Sequence, residues 1–112
     1  MNDWYDELRK LDGQKCFTLT QNLPAIMHID DYGVTVEYPT KGQTKLSRFI
    51  LDQAYRKLQI KGILTLEDVH EGITNRNGSK TDRLMAVLSA LPGIGFTSVP
   101  RTLFVKKVNL PK

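Results

Sequence analysis

The apolar positions of this 112-residue chain change their period near its middle, from about two to about 3.6 residues. Before the change, Trp4, Leu8 and Leu11 stand at helical spacing and predict a short opening helix that Asp12-Gly13 stops. Residues 16–20, 25–29 and 34–38 then alternate or are rich in β-branched side chains. They are separated by Asn22-Leu23-Pro24 and Asp30-Asp31-Tyr32-Gly33. Three antiparallel strands are expected, the second and third joined as a hairpin with Gly33 at positive φ. Pro39, Lys41 and Gly42 read as a loop leading out of that sheet.

From Ser47 onward Ile50, Leu51, Ala54, Tyr55 and Leu58 fall on one helical face, with Arg48, Asp52, Gln53, Arg56 and Lys57 on the other. Ser47 is the expected N-cap, Asp52 and Arg56 are spaced to pair along the helix, and Lys61-Gly62 closes it. Ile63-Leu64 reads as a two-residue apolar link. Thr65-Leu66-Glu67-Asp68 comes close to a capping box, opening a short helix whose apolar edge is Leu66, Val69 and Ile73. After a turn over residues 74–78, Ser79-Lys80-Thr81-Asp82 repeats the start signal for a helix with Leu84, Val87, Leu88 and Leu91 turned inward, stopped by Pro92-Gly93. Residues 96–99 and 102–108 read as two strands around Pro100-Arg101. The expected fold is α+β: a small antiparallel N-terminal sheet within residues 1–45, then three helices and a C-terminal β-hairpin within 46–112, packed as one domain over 1–112.

Composition narrows the function classes. At this length a chain buries roughly two thirds of its unfolded surface, enough for a core without disulfide or metal staples. The lone cysteine, Cys16, has no partner for a disulfide within the chain, which suits a reducing, cytoplasmic setting. The first residues are acidic rather than basic-then-apolar, and no run approaches about 18 apolar residues, so neither secretion nor a membrane partner is expected. The net charge of +4 conceals a division. Residues 1–37 hold three basic and seven acidic side chains, a net of −4, while residues 38–112 hold 13 basic and five acidic, a net of +8. Such a cationic surface suits phosphate backbones or acidic protein faces.

Catalytic chemistry finds no support in the residue pattern. His28 and His70 lie far apart with no ligand-spaced neighbour, so no metal or other cofactor is expected. His28 reads as a partly buried strand residue, His70 as a helix-surface side chain, and Cys16 as buried, with nothing local to activate its thiolate. Asp30-Asp31 is what a hairpin turn wants, and Pro92-Gly93-Ile94-Gly95 lacks the Lys-Ser/Thr of a nucleotide loop. A non-enzyme is the expectation.

Helix, short link, helix, turn, helix and two strands follow one another over residues 47–108, carried by Gly62-Ile63-Leu64-Thr65-Leu66-Glu67-Asp68 and the segment 79–91. In that order the chain resembles the winged-helix DNA-binding superfamily, whose third helix enters the major groove and is followed by a β-hairpin wing. The turn at 74–78 is longer than the usual tight turn, and the wing lacks a glycine-bearing tip. The resemblance implies non-catalytic binding of nucleic acid, duplex DNA rather than RNA. Lys80, Thr81 and Arg83 would act from the first turn of the last helix, Arg76 and Asn77 from the preceding turn, and Arg101, Lys106 and Lys107 from the hairpin. Residues 76–112 carry seven basic side chains against one acidic, a net of +6. The rival expectation is a protein partner: an interaction module, or a small phage-type inhibitor whose cationic face covers a nucleic-acid-processing enzyme.

Overall fold

A computed structural model describes residues 4–18, 23–39, 42–74, 78–98 and 101–106. Its elements are α1 (Trp4–Arg9), β1 (Lys15–Phe17), β2 (Pro24–Asp30), β3 (Gly33–Tyr38), β4 (Gly42–Ser47), α2 (Arg48–Lys61), β5 (Ile63–Thr65), α3 (Leu66–Gly72), α4 (Gly78–Ser89), β6 (Ile94–Ser98) and β7 (Arg101–Val105). The α+β class holds, and two antiparallel sheets carry it, one in the order β1-β2-β3-β4 and the other in the order β5-β7-β6.

Alternation builds the first sheet. Ala25, Met27 and Ile29 of β2 and Val34, Val36 and Tyr38 of β3 point to one face and are buried there, while His28 and Glu37 point away. The β2–β3 turn is held by Asp30, whose Oδ1 accepts the backbone N–H groups of Tyr32 at 2.8 Å and Gly33 at 3.2 Å. Gly33 has φ 149°, and a Cβ there would stand 2.0 Å from the Leu46 carbonyl oxygen, so no side chain fits. β4 corrects the expected three-stranded sheet. Its six residues, Gly42-Gln43-Thr44-Lys45-Leu46-Ser47, contain one buried apolar side chain, Leu46, which pairs with Val34. Pairing with β3 recruits an otherwise polar segment that gives almost no alternation signal.

The opening helix anchors through the expected Leu8, joined by Tyr5, and Trp4 and Leu11 pack against the same core. Tyr5 and Leu8 are its buried pair, whereas Trp4 and Leu11 are partly buried. The Tyr5 hydroxyl donates to the Asp30 carbonyl at 2.7 Å, and the Arg48 guanidinium lies 4.1 Å from the Tyr5 ring centroid. Burial pushes the Tyr5 phenol up to about 12, against the opposing pull of Arg48. Trp4 stacks on Tyr55 with centroids 4.3 Å apart and donates its Nε1 hydrogen to Asp52 at 3.1 Å, fastening α1 to α2.

α2 is bounded as its sequence suggests. Ser47 Oγ accepts the Ile50 N–H at 3.3 Å, and Gly62, at φ 77°, donates its N–H to the Leu58 carbonyl at 2.7 Å. One stripe, Leu51, Ala54 and Leu58, is buried. The Ile63-Leu64 link is part of a strand: Leu64 pairs with Leu103 of β7, which pairs in turn with Phe96 of β6. At α3 the capping box is complete. Thr65 Oγ1 accepts the Asp68 N–H at 3.1 Å, and Asp68 Oδ2 accepts the Thr65 N–H at 3.0 Å.

α4 departs most from expectation. It touches β1 and β4 of the first sheet on one side and α3, β6 and β7 on the other. Thr81 and every residue from position 84 to 88 are buried, so Met85 and Ala86 join Leu84, Val87 and Leu88 in the core. A helix expected to show one apolar face is apolar nearly all round because it is layered between two sheets. The resulting core is continuous, drawing Met27, Val36 and Leu46 from the N-terminal part and Leu64, Leu88 and Leu103 from the C-terminal part.

Candidate functional site

Of the eight residues the sequence nominates, Arg76, Asn77 and Lys107 lie outside the described residues. The structure divides the other five. Thr81 is 1% exposed and sits in a polar bridge between α3 and α4, its Oγ1 2.6 Å from Thr74 Oγ1 and 3.3 Å from His70 Nδ1. Thr74 in turn donates to the Val69 carbonyl at 3.3 Å. A carbonyl only accepts, so a consistent order runs from His70 Nδ1–H to Thr81, Thr81 to Thr74 and Thr74 to Val69. Burial takes Thr81 off the surface where a ligand would meet it. His70 is thus half-buried and engaged rather than a plain surface side chain.

Arg83 turns its guanidinium onto the Tyr38 ring, 4.6 Å from the centroid, with its Nε buried. That geometry serves packing against the first sheet and leaves the planar fork facing an aromatic instead of solvent. Burial raises the Tyr38 phenol, opposed by the neighbouring Arg83 charge. Arg101 forms an ion pair with Asp82, which fixes the start of β7 to the first turns of α4. Asp82 thereby ties the hairpin to the helix, and position 79 lies within α4, one residue after its first, instead of at the expected N-cap. Lys106 is exposed, and its backbone N–H donates to the Gly93 carbonyl at 2.8 Å, beyond the C-terminal end of α4. A 12-residue helix is about 18 Å long, so Lys80 and Lys106 stand at opposite ends of it.

Lys80 has neighbours that the sequence did not reveal. It lines an open groove of about 470 Å³ together with Tyr32, Thr35, Lys45, Ser47 and the edge of Asp30, where the β2–β3 turn and β4 approach the start of α4. Tyr32 is 86% exposed and Lys45 is exposed as well. Two lysines and an exposed tyrosine thus line one concavity. The nearby acids are already engaged, Asp30 with the turn N–H groups and Asp31 with Arg9.

Asp68 gathers two further cations. Lys61 Nζ lies 3.0 Å and Lys57 Nζ 3.8 Å from Asp68 Oδ1. Burial opposes ionisation of Asp68, yet the Thr65 backbone N–H and the Lys61 ammonium outweigh it and hold the carboxyl below its usual range. His28 is exposed rather than partly buried. Its Nε2 is 2.9 Å from Glu37 Oε1, and this bond, with one from Gln43, lowers the Glu37 carboxyl. Cys16 is buried, and loss of hydration pushes its thiol up to about 11.

Among the described residues no three His, Cys, Asp or Glu side chains gather as a metal would require, and no helix is long and apolar enough to cross a membrane. No family model, curated protein or solved structure matches the chain.

Proposed function

We propose that this chain binds nucleic acid without catalysing its turnover, DNA in preference to RNA, by a variant of the winged-helix arrangement. The order α2, β5, α3, α4, β6, β7 keeps the three helices and following hairpin on which that resemblance rests, and the β5–β7 pairing ties the hairpin back into the helical unit. The observation that carries the reading is the meeting of the hairpin with the first turns of α4 through Arg101 and Asp82. This brings the start of β7 to the part of α4 that carries Lys80, and both belong to the segment of net +6 charge. The mode of contact differs from insertion of a helix along its length, since the first sheet covers one side of α4. Its first turn and the hairpin would instead straddle phosphates, with the major groove of a duplex approached end-on.

The test is a fluorescence anisotropy titration of the full chain against a labelled 20-base-pair duplex over a salt series. Neutralising three to five phosphates gives a slope of log K against log salt of about −3 to −5. A flat salt response, or no binding at low salt, overturns the reading. A protein-interaction module is the second reading, favoured by one observation: Ile60 and Ile63, 85% and 43% exposed, lie three residues apart, and Ile63 pairs with Phe104 on β7.

A further inference from the structure

We infer that the groove between the β2–β3 turn and the first turn of α4 is a binding site for an unpaired nucleotide of a single strand, with the base on the Tyr32 ring and its phosphate on Lys45 and Lys80. This rests on the nucleic-acid reading and names the form of nucleic acid that one part of the surface takes.

Tyr32 is the starting point because the fold does not need its ring. β2 and β3 are joined by a two-residue loop, Asp31-Tyr32, between the paired Asp30 and Gly33. Such loops favour Asn, Asp and Gly for backbone reasons, and none of those reasons calls for an aromatic. The backbone of Tyr32 is used, its N–H by Asp30 and its carbonyl by the Arg48 N–H at 2.8 Å, while the ring stands 86% exposed. A large aromatic held out on a rigid turn loses little freedom when a base stacks on it.

Charge and shape supply the rest. Lys45 projects from the outer face of β4, opposite Thr35, and Lys80 reaches the same groove from α4, so the ammonium groups come from different layers of the fold. The groove volume of about 470 Å³ falls in the range of small-molecule sites, which begins near 300 Å³. Thr35 and Ser47 add hydroxyls to its wall. The one carboxylate at its edge, Asp30, is turned to the loop N–H groups. In a duplex each base is covered above and below by its neighbours, so a protruding tyrosine has no base face to cover; an unpaired base offers one.

The experiment compares labelled dT12 with a 12-base-pair duplex by anisotropy, using the full chain and the variants Tyr32→Ala, Tyr32→Phe and Lys45→Ala. Circular dichroism confirms that each is folded, as expected at exposed positions. Tyr32→Ala is expected to weaken dT12 about tenfold while changing duplex binding less than twofold, and Tyr32→Phe to retain dT12 binding. Lys45→Ala is expected to weaken dT12 severalfold and to flatten its salt dependence by about 0.7 in slope. If the wild type binds nucleic acid but Tyr32→Ala leaves dT12 unaffected, this site is wrong and the broader reading stands. If the wild type binds neither probe at low salt, both fall together.

Discussion

α2 and α4 are helices of similar length, 14 and 12 residues, and the chain uses them in opposite ways. α2 buries one stripe and gives its other face to solvent and to the ion pairs around Asp68. α4 is covered by one sheet on each side and gives up its middle entirely to the core. The lesson concerns recognition. A helix that is packed from both sides offers a ligand only its ends, so the binding proposed for this chain falls to what surrounds those ends: the hairpin, the β2–β3 turn and β4.

Removing bulk from each helix is the sharpest way to break this contrast. Leu88→Ala is expected to destabilise by about 2–5 kcal/mol, because neighbours on both sides resist closing the cavity. Gln53→Ala, on the exposed face of α2, is expected to stay within about 0.5 kcal/mol. Equal effects in urea denaturation would mean that α4 is not layered between the sheets.

Gly33→Ala tests whether β4 is held as tightly as the covering of α4 demands. The added Cβ meets the Leu46 carbonyl, and the positive φ adds strain, so a loss of about 1–3 kcal/mol is expected. A neutral result would detach β4 from β3.

Asp68→Ala is next, with a loss of about 1 kcal/mol from the capping box. Its pH dependence has a definite sign. The folded-state pKa is lowered, so the stabilising contribution is present above the ordinary carboxylate value of about 4 and is lost as pH falls through the lowered folded value. Wild type and variant should therefore differ at pH 7 and converge in acid. Divergence on acidification would reverse the sign and refute the assignment.

The smallest effect concerns Cys16. Buried with its thiol pushed up to about 11, it should resist a thiol reagent at pH 8 in the native state and react quickly in denaturant. Rapid native-state reaction would expose the inner face of the first sheet.

Much of the fold was legible in the sequence because side-chain alternation and helical spacing are strong for β2, β3 and α2, and because Ser47, Gly62 and the Thr65–Asp68 pair mark ends by their own hydrogen bonds. β4 and β5 were not legible for physical reasons. β4 has a single inward apolar side chain, and β5 has three residues, too few to show a period. The layering of α4 does leave a mark in the sequence: Leu84-Met85-Ala86-Val87-Leu88 is an unbroken apolar run, which a one-faced helix does not require. The candidate site was legible only in part. Clustering of charge drew attention to Lys80, but Thr81 and Arg83 share its helical turn and are committed to packing, which sequence spacing alone does not reveal. Lys45 and Tyr32 are distant in sequence and meet Lys80 only through the register of β3 and β4. An aromatic in a two-residue turn was their one visible mark.

The most direct measurement is a map of backbone amide shifts on a ¹⁵N-labelled sample titrated with dT12 and then with duplex. Binding at the ends of α4 predicts dT12 perturbations at residues 31–35, 45–47 and 80, with the duplex adding residues near 101. Perturbations centred on Ile60 and Ile63, or none at either end of α4, would contradict it.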